Sequence, residues 1–278
     1  MNLTAEILEE FKNYLILEEK SAATLDKYMR DARAFFAFSG DCKVTKELVM
    51  EYKRKLIDRG YAVQSINSML ASVHSLLNFC GAGDCRVKVM KIQRETYSVP
   101  EKELTRTDYF RLLEAAGEKP RLKMLLQTIC GTGIRVSELR YFTVEAVRNS
   151  KVIVSCKNKN RVIWISGKLR KALLDFIRKE NIRDGIIFRT KNGKPINRSN
   201  IWTEMKRLCK DAEVEASKVF PHNLRKLFAR TFYKIEKDIA KLADILGHSS
   251  INTTRIYIMS TGMEHRQQLD KINTILLE

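Results

Sequence analysis

Proline is scarce in this chain, 4 in 278 residues, and glycine occupies only 12 positions. With 44% hydrophobic residues, a sequence so poor in breakers is neither collagen-like nor a disordered low-complexity segment. No apolar run reaches the roughly 18–20 residues that span a bilayer, and the opening Met1-Asn2-Leu3-Thr4-Ala5-Glu6 carries neither a basic leader nor an apolar signal core. A soluble intracellular protein is expected. The 6 cysteines (Cys42, Cys80, Cys85, Cys130, Cys156, Cys209) include no Cys-x-x-Cys and no second pair with histidine, which excludes a zinc quartet and a disulfide framework. Reduced, structural thiols in a cytoplasm are the expectation.

Acidic residues are also in deficit, 33 against 51 Lys+Arg, for a net charge of +18. The deficit is uneven. Residues 1–97 hold 15 basic and 13 acidic side chains, whereas residues 98–278 hold 36 and 20. A folded segment with that excess suits an extended polyanion, because counterions released from phosphates drive association. A merely basic, soluble protein would show the same total.

The length accommodates two domains of roughly 100–200 residues each. Helical spacing is clear in the first ninety residues. Ile7, Leu8, Phe11 and Leu15 mark one helix, and Ser21 caps a second through Leu25, Met29, Ala32 and Phe36. A third is expected over Thr45–Ile57 and a fourth over Val63–Phe79, ended by Gly81-Ala82-Gly83-Asp84. Four such helices with short connections make a small bundle. Residues 88–103 lack an apolar period and contain Pro100, which suggests a linker between domains 1–87 and 104–278. Beyond it, Thr105 and Asp108 read as a capping box, and Leu122–Ile129 as a helix running into Gly131-Thr132-Gly133. The period then switches: Val152–Ser155 and Val162–Ile165 read as strands flanking a Lys157-Asn158-Lys159-Asn160 turn, with Ile186–Phe188 as a third strand. Helices resume near Arg198, Pro221, Asp238, Ile251 and Met263. The fold class expected is mainly α, a four-helix bundle plus a mixed α/β domain, mostly helical, with a small antiparallel sheet.

Only 4 histidines occur, and two have informative neighbours. His222 and Arg225, in Pro221-His-Asn-Leu-Arg225, share one side of a helix start, where free N–H groups also favour an anion. By itself a His-x-x-Arg reads equally as surface polarity. His248 follows Gly247, which suits a left-handed helix stop, and Tyr257 comes nine residues later. Alone, Tyr257 reads as a half-buried helix aromatic. Arg135 follows Gly131-Thr132-Gly133-Ile134, either as a ligand-facing side chain or as a salt-bridged surface arginine. Lys157 and Lys159 would ordinarily be turn residues, although a hairpin tip can deliver an ammonium into a neighbouring site.

These groups have a joint chemical logic. Two guanidiniums can clamp one phosphodiester, a phenol can attack phosphorus, an imidazole can take the phenol proton, and a lysine can protonate the departing oxygen. No carboxylate cluster with metal-ligand spacing and no Walker loop is present, which points to chemistry without metal, nucleotide or other cofactor.

In Thr132-Gly-Ile-Arg135-Val-Ser-Glu-Leu139, His222-Asn-Leu-Arg225, and Leu246-Gly-His248 followed by Tyr257, the sequence resembles the tyrosine recombinase (phage integrase) family. The resemblance covers nearly the whole chain, the bundle being similar to the family's SAM-like core-binding domain. It implies a site-specific recombinase that cuts and rejoins DNA through a 3′-phosphotyrosyl intermediate and a Holliday junction. By that resemblance Tyr257 attacks, Arg135 and Arg225 bind the scissile phosphate, His222 accepts a proton or binds phosphate, and His248 donates a hydrogen bond. Lys157 is the implied general acid. The family's usual Gly-Lys-Gly context is replaced here by Cys156-Lys157-Asn158 and the turn is shortened, so Lys159 stays open as the alternative. Type IB topoisomerases share this chemistry, and a degenerate repressor would share the fold; the bundle and the complete residue set favour a recombinase.

The resemblance also implies that both domains hold duplex DNA as a clamp. DNA contacts are then expected at Thr24, Lys27, Tyr28, Asn67 and Ser68 in the bundle, and at Arg198, Asn200, Lys206, Lys226 and Arg230 beyond it. The last helix, with Leu269, Ile272, Ile275, Leu276 and Leu277 on one side, would join neighbouring protomers in a tetramer on DNA, free molecules being monomers; docking on its own core is the alternative. An accessory DNA-bending or directionality protein is a further expected partner. With its first helix expected near Met1, no separate arm-binding domain is expected, in likeness to the two-domain Xer-type and mobile-element enzymes. A cytoplasmic, nucleoid-associated, bacterial-type protein is implied.

Overall fold

The computed structural model describes residues 2–93, 97–156, 159–190 and 192–277, with the side chains of Pro100, Cys156 and Lys159 left aside. The chain divides into two units, residues 1–94 and 95–278.

The first unit holds α1 (Ala5–Leu17), α2 (Ala22–Ser39), α3 (Lys46–Asp58) and α4 (Val63–Phe79). Hydroxyls start the first three: Thr4, Ser21 and Thr45 accept from the N–H groups of Ile7, Thr24 and Leu48. The helical apolar stripes meet in a core of Phe11, Leu15, Phe35, Val49, Ile66, Leu70, Val73 and Leu76. Within this core lies a charge. Asp31 on α2 is 1% exposed and takes the Lys27 ammonium at 3.0 Å and the Ser72 hydroxyl at 3.0 Å. Lys27 also donates to the Ser68 carbonyl, so α2 and α4 are joined by a satisfied polar cluster. The Asn67 amide donates to the Met90 carbonyl at 2.8 Å and accepts its N–H at 2.9 Å, holding the chain that leaves the bundle.

The second unit contains α5 (Arg106–Ala115), α6 (Pro120–Thr132), α7 (Val144–Arg148), strands β1 (Lys151–Cys156) and β2 (Lys159–Trp164), then α8 (Gly167–Lys179), α9 (Arg198–Asp211), α10 (Pro221–Glu236), α11 (Ile239–Leu246), α12 (Ile251–Ile258) and α13 (Gly262–Leu276). The capping box of Thr105 and Asp108 opens α5 as expected. The strands pair antiparallel from Lys151 opposite Trp164 to Cys156 opposite Lys159. Val152, Val154 and Ile163 point into the core, while Ile153, Val162 and Trp164 face out. The hairpin is tighter than the sequence suggested, since Lys159 and Asn160 already belong to β2.

Two sequence expectations are corrected. Ile186–Phe188 is not a third strand: among the described residues the sheet has two strands. Ile186 makes one isolated bridge to Thr143, because Thr143 caps α7 and turns its chain away after a single pairing; Ile187 and Phe188 then sink into the core. Helix α8 was not expected, although Leu169, Leu173, Phe176 and Ile177 form its buried stripe behind a Ser166 cap.

Cys80, Cys85, Cys130, Cys209 and Cys42 are free thiols. Burial pushes Cys130 up to about 12, which makes it inert, whereas Cys42 is exposed and not structural. The stretch expected as a linker is held near its end as well as at Met90: Ser98 donates its N–H to the Ser260 carbonyl at 3.0 Å and bridges Thr261. Helix α13 has no buried residue; Leu269, Ile272, Ile275 and Leu276, with Leu277 just beyond it, are exposed, so its apolar side is not docked on its own core. No described helix is long and apolar enough to cross a membrane.

Candidate active site

Three chain reversals converge on one side of the second unit. Helix α6 ends at Gly133, whose φ of +64° is left-handed and leaves room for Phe228 and Leu246 where a side chain would stand. The chain then delivers Arg135. Its side chain donates to Glu138 Oε1 at 3.0 Å and to the Gly247 carbonyl at 2.9 Å, while its own N–H binds Glu138 Oε2 at 3.0 Å. Arg135 keeps 39% of its side chain exposed.

Pro221 sets the first turn of α10 and places His222 and Arg225 one turn apart. Arg225 is 2% exposed. Its guanidinium donates to the Gly133 carbonyl, to the Leu246 carbonyl at 2.6 Å and to His248 Nε2 at 3.0 Å. Burial foremost, then the neighbouring Arg135, pushes Arg225 down to about 10, and the Tyr257 phenol opposes that shift; the group stays cationic at neutral pH.

Gly247 ends α11 at φ +62° and turns the chain toward α12. Arg161 from β2 packs where a Gly247 side chain would be, and donates to the Leu246 carbonyl and to Glu138 Oε2. The turn before His248 is therefore gripped by three guanidiniums, and buried Glu138 lies between two of them. Tyr257 on α12 is 7% exposed. Its hydroxyl lies 3.3 Å from His222 Nδ1. Its ring stands edge-on to both imidazoles, with centroids 4.9 Å from His222 and 5.0 Å from His248.

Both imidazoles are held neutral at pH 7. Burial lowers His222 first, followed by the charges of Lys226, Arg225 and Arg198. His248 is lowered to about 4 by burial, then by Arg225, Arg135 and Arg161. Five of the residues singled out in the sequence (Arg135, His222, Arg225, His248, Tyr257) thus form one cluster. Lys157 lies outside the described residues, as does the side chain of Lys159. Sequence reasoning missed Glu138, Arg161 and Thr254, whose hydroxyl lies 2.9 Å from His248 Nδ1, as participants; two-residue alternation from Ile163 puts Arg161 on the inner face of β2, but nothing local names its partners. Among the described residues no group of three or more His, Cys, Asp or Glu side chains is placed to hold a metal ion.

The expected polyanion contacts are mixed in placement. Arg198 is exposed, and both it and Lys226 lie close enough to depress His222. Asn200 is exposed at the first turn of α9. Lys206 is committed to the Ala216 carbonyl and lies over the Trp202 ring. Arg230 is ion-paired to both Glu103 and Glu264. In the first unit Lys27 serves Asp31 and Asn67 serves Met90, as described. Thr24 shares its hydroxyl with Ser21 at 2.8 Å, Tyr28 lies under the Lys27 ammonium, and Ser68 is exposed.

The phage integrase family profile matches residues 102–263, and that of the phage integrase N-terminal SAM-like domain matches residues 8–82. The chain belongs to the phage integrase family. Tyrosine recombinase XerA of Pyrococcus horikoshii is 30% identical over 284 residues, covering 99% of this chain and 97% of the relative. The crystal structure of a XerA recombinase, 25% identical, aligns over 97% of this chain and 98% of its own with a TM-score of 0.55. A lambda integrase tetramer bound to a Holliday junction, 18% identical, shares the fold at a TM-score of 0.75 over 92% of this chain and 77% of its own. The protein is a tyrosine recombinase, a class that cleaves and rejoins DNA. The mainly helical fold with its SAM-like first unit agrees with the sequence reading.

Proposed function

We propose that this protein is a site-specific DNA recombinase that breaks and reseals duplex DNA through Tyr257. The observation that carries the reading is the buried Tyr257 phenol, 3.3 Å from a neutral imidazole and beside the Arg225 guanidinium. Tyr257 Oη attacks phosphorus, the P–O5′ bond breaks, and the phosphate stays on the 3′ strand as a phosphotyrosine. His222 Nδ1 takes the phenol proton. Arg135 and Arg225 face the charge that grows on the nonbridging oxygens, and His248 adds a hydrogen bond there. The departing 5′ oxygen takes its proton from Lys157, with Lys159 as the alternative; a 5′-thio leaving group needs no such proton and is expected to rescue cleavage by Lys157→Ala. If it rescues Lys159→Ala instead, the assignment moves to Lys159.

Duplex DNA is the partner of both units, residues 1–87 forming the core-binding part, 88–103 the link and 104–278 the catalytic part. Arg198, Asn200 and Lys226 are the best-placed phosphate contacts of the second unit. In the first, Lys27 and Ser68 border one open depression with Arg30 and Gln64, while Thr24, Tyr28 and Asn67 are supporting contacts. Lys206 and Arg230 reach DNA only by leaving their present partners. Exposed α13 suits assembly of four protomers around a Holliday junction, as in the lambda integrase complex, from monomers in free solution.

The test is direct. A duplex selected by this protein from a random-sequence pool, then nicked to let the cleaved strand diffuse away, is expected to leave a nucleotide adduct on the tryptic peptide covering residues 256–266. No adduct, or an adduct on another peptide, overturns the reading.

A further inference from the structure

The hydrogen bonds around His248 specify where its proton lies. A guanidinium has only donors, so Arg225, at 3.0 Å from Nε2, requires a bare nitrogen there. The single ring proton of neutral His248 is then on Nδ1, which faces the Thr254 hydroxyl at 2.9 Å. Thr254 lies one turn before Tyr257 on α12 and is 0% exposed, so water does not compete for this bond. The arrangement poses a chemical problem for the reading above. A hydrogen-bond donor to a phosphate oxygen needs its proton on Nε2, the nitrogen that is bare while Arg225 donates to it.

We propose that Thr254 is the positioning residue of His248, its hydroxyl accepting from Nδ1 while Arg225 donates to Nε2, and donating to Nδ1 once Arg225 gives that N–H to a phosphate oxygen and a protonated Nε2 donates to the same phosphate. A hydroxyl can do both, because it carries one proton and two lone pairs and rotates freely. A carboxylate or a backbone carbonyl at the same place would only accept and would lock the ring with Nε2 bare. The change conserves charge: one proton leaves Nδ1 and one arrives at Nε2, exchanged with water when the partly exposed imidazole swings off Thr254, and the threonine hydroxyl turns. The same surroundings keep the ring from becoming imidazolium in the empty site. Arg225, Arg135 and Arg161 face it from α10, from the segment after α6 and from β2, and His222 and Tyr257 complete the ring of neighbours.

This inference rests on the assignment of His248 as a phosphate hydrogen-bond donor, and its test separates the two. With only 4 histidines in the chain, imidazole 15N resonances of the full-length protein are assignable by comparison with His248→Ala. The free protein is expected to show a protonated Nδ1 and bare Nε2 at His248, and the protein bound to the selected duplex the reverse. Thr254→Val keeps the shape of the side chain and deletes the hydroxyl. It is expected to lose the single tautomer and to slow cleavage of the nicked duplex about tenfold, the size of one buried hydrogen bond, with duplex affinity unchanged. Thr254→Ser restores the hydroxyl and is expected to recover both the tautomer and the rate. A bare Nδ1 in the free protein, or wild-type tautomer and rate in Thr254→Val, overturns the role of Thr254. Wild-type cleavage by His248→Ala overturns instead the reading of His248, and leaves the hold of Thr254 on the ring to the resonance data.

Discussion

Replacing Tyr257 by Phe is expected to abolish covalent capture of DNA while leaving the folded site and DNA binding in place. The change removes one oxygen. The ring keeps its edge-on packing between His222 and His248 and its place beside Leu242 and Leu246. The loss to stability is one hydrogen bond to His222 and a contact with Arg225, about 1 kcal/mol. The loss to chemistry is total, because no other described side chain presents a nucleophile between the two imidazoles and the two arginines. Cleavage of the nicked duplex, measured as protein–DNA adduct on a denaturing gel, is the readout, with a melting curve and a binding isotherm as controls. An adduct at wild-type yield in the Phe variant would sink the assignment.

Replacing Arg225 by Ala is expected to slow adduct formation about 10²–10³-fold, the range seen when one preorganised donor is removed from a charge-stabilising site. Arg225 is suited to that role because its orientation is set before substrate arrives, by the Gly133 and Leu246 carbonyls. Such donors act on developing charge without reorganising. Arg225→Lys is expected to recover only part of the rate. One ammonium retains the charge, yet it lacks the planar fork that reaches both carbonyls and the imidazole together. Single-turnover rates at saturating duplex separate this effect from weaker binding. Equal rates for Arg225→Ala and the parent would show that Arg225 serves only to hold Gly133 and Leu246.

The contrast between Arg225 and Arg230 shows what local sequence conveys. Both lie on α10 and both read as cations available to phosphate. One is buried at the centre of the cluster, and the other is ion-paired to Glu103 and Glu264. The His222-x-x-Arg225 spacing singles out Arg225, but nothing in residues 221–236 shows that Arg230 is occupied, because its partners lie far away in the chain. Lys27 is a mixed case, because Asp31 lies one turn further along the same helix while Ser68 comes from α4. It sits at a helix start where a DNA contact is plausible, while its ammonium satisfies the buried carboxylate of Asp31 and the Ser68 carbonyl.

Elements whose cause is local were legible. The cap at Ser21, the capping box of Thr105 and Asp108 and the left-handed stop at Gly247 follow from side-chain and backbone preferences within a few residues. The Ile186–Phe188 segment failed as a strand for the opposite reason: its β-forming residues were right for pairing, but the chain they pair with turns into α7 after one bridge. By itself, then, the sequence determined the bundle helices and most of those beyond them though not α8, the hairpin, the excess of positive charge beyond residue 97 and the order of the reactive residues. Only the tertiary structure decided which of those charges face a ligand, that Glu138 and Arg161 support the turn before His248, and that Thr254 holds its ring. The reason is that a hydrogen bond within reach of a helix turn is written in neighbouring residues, whereas one that closes between Arg161 and Leu246, or between Arg225 and Gly133, exists only after the chain has packed.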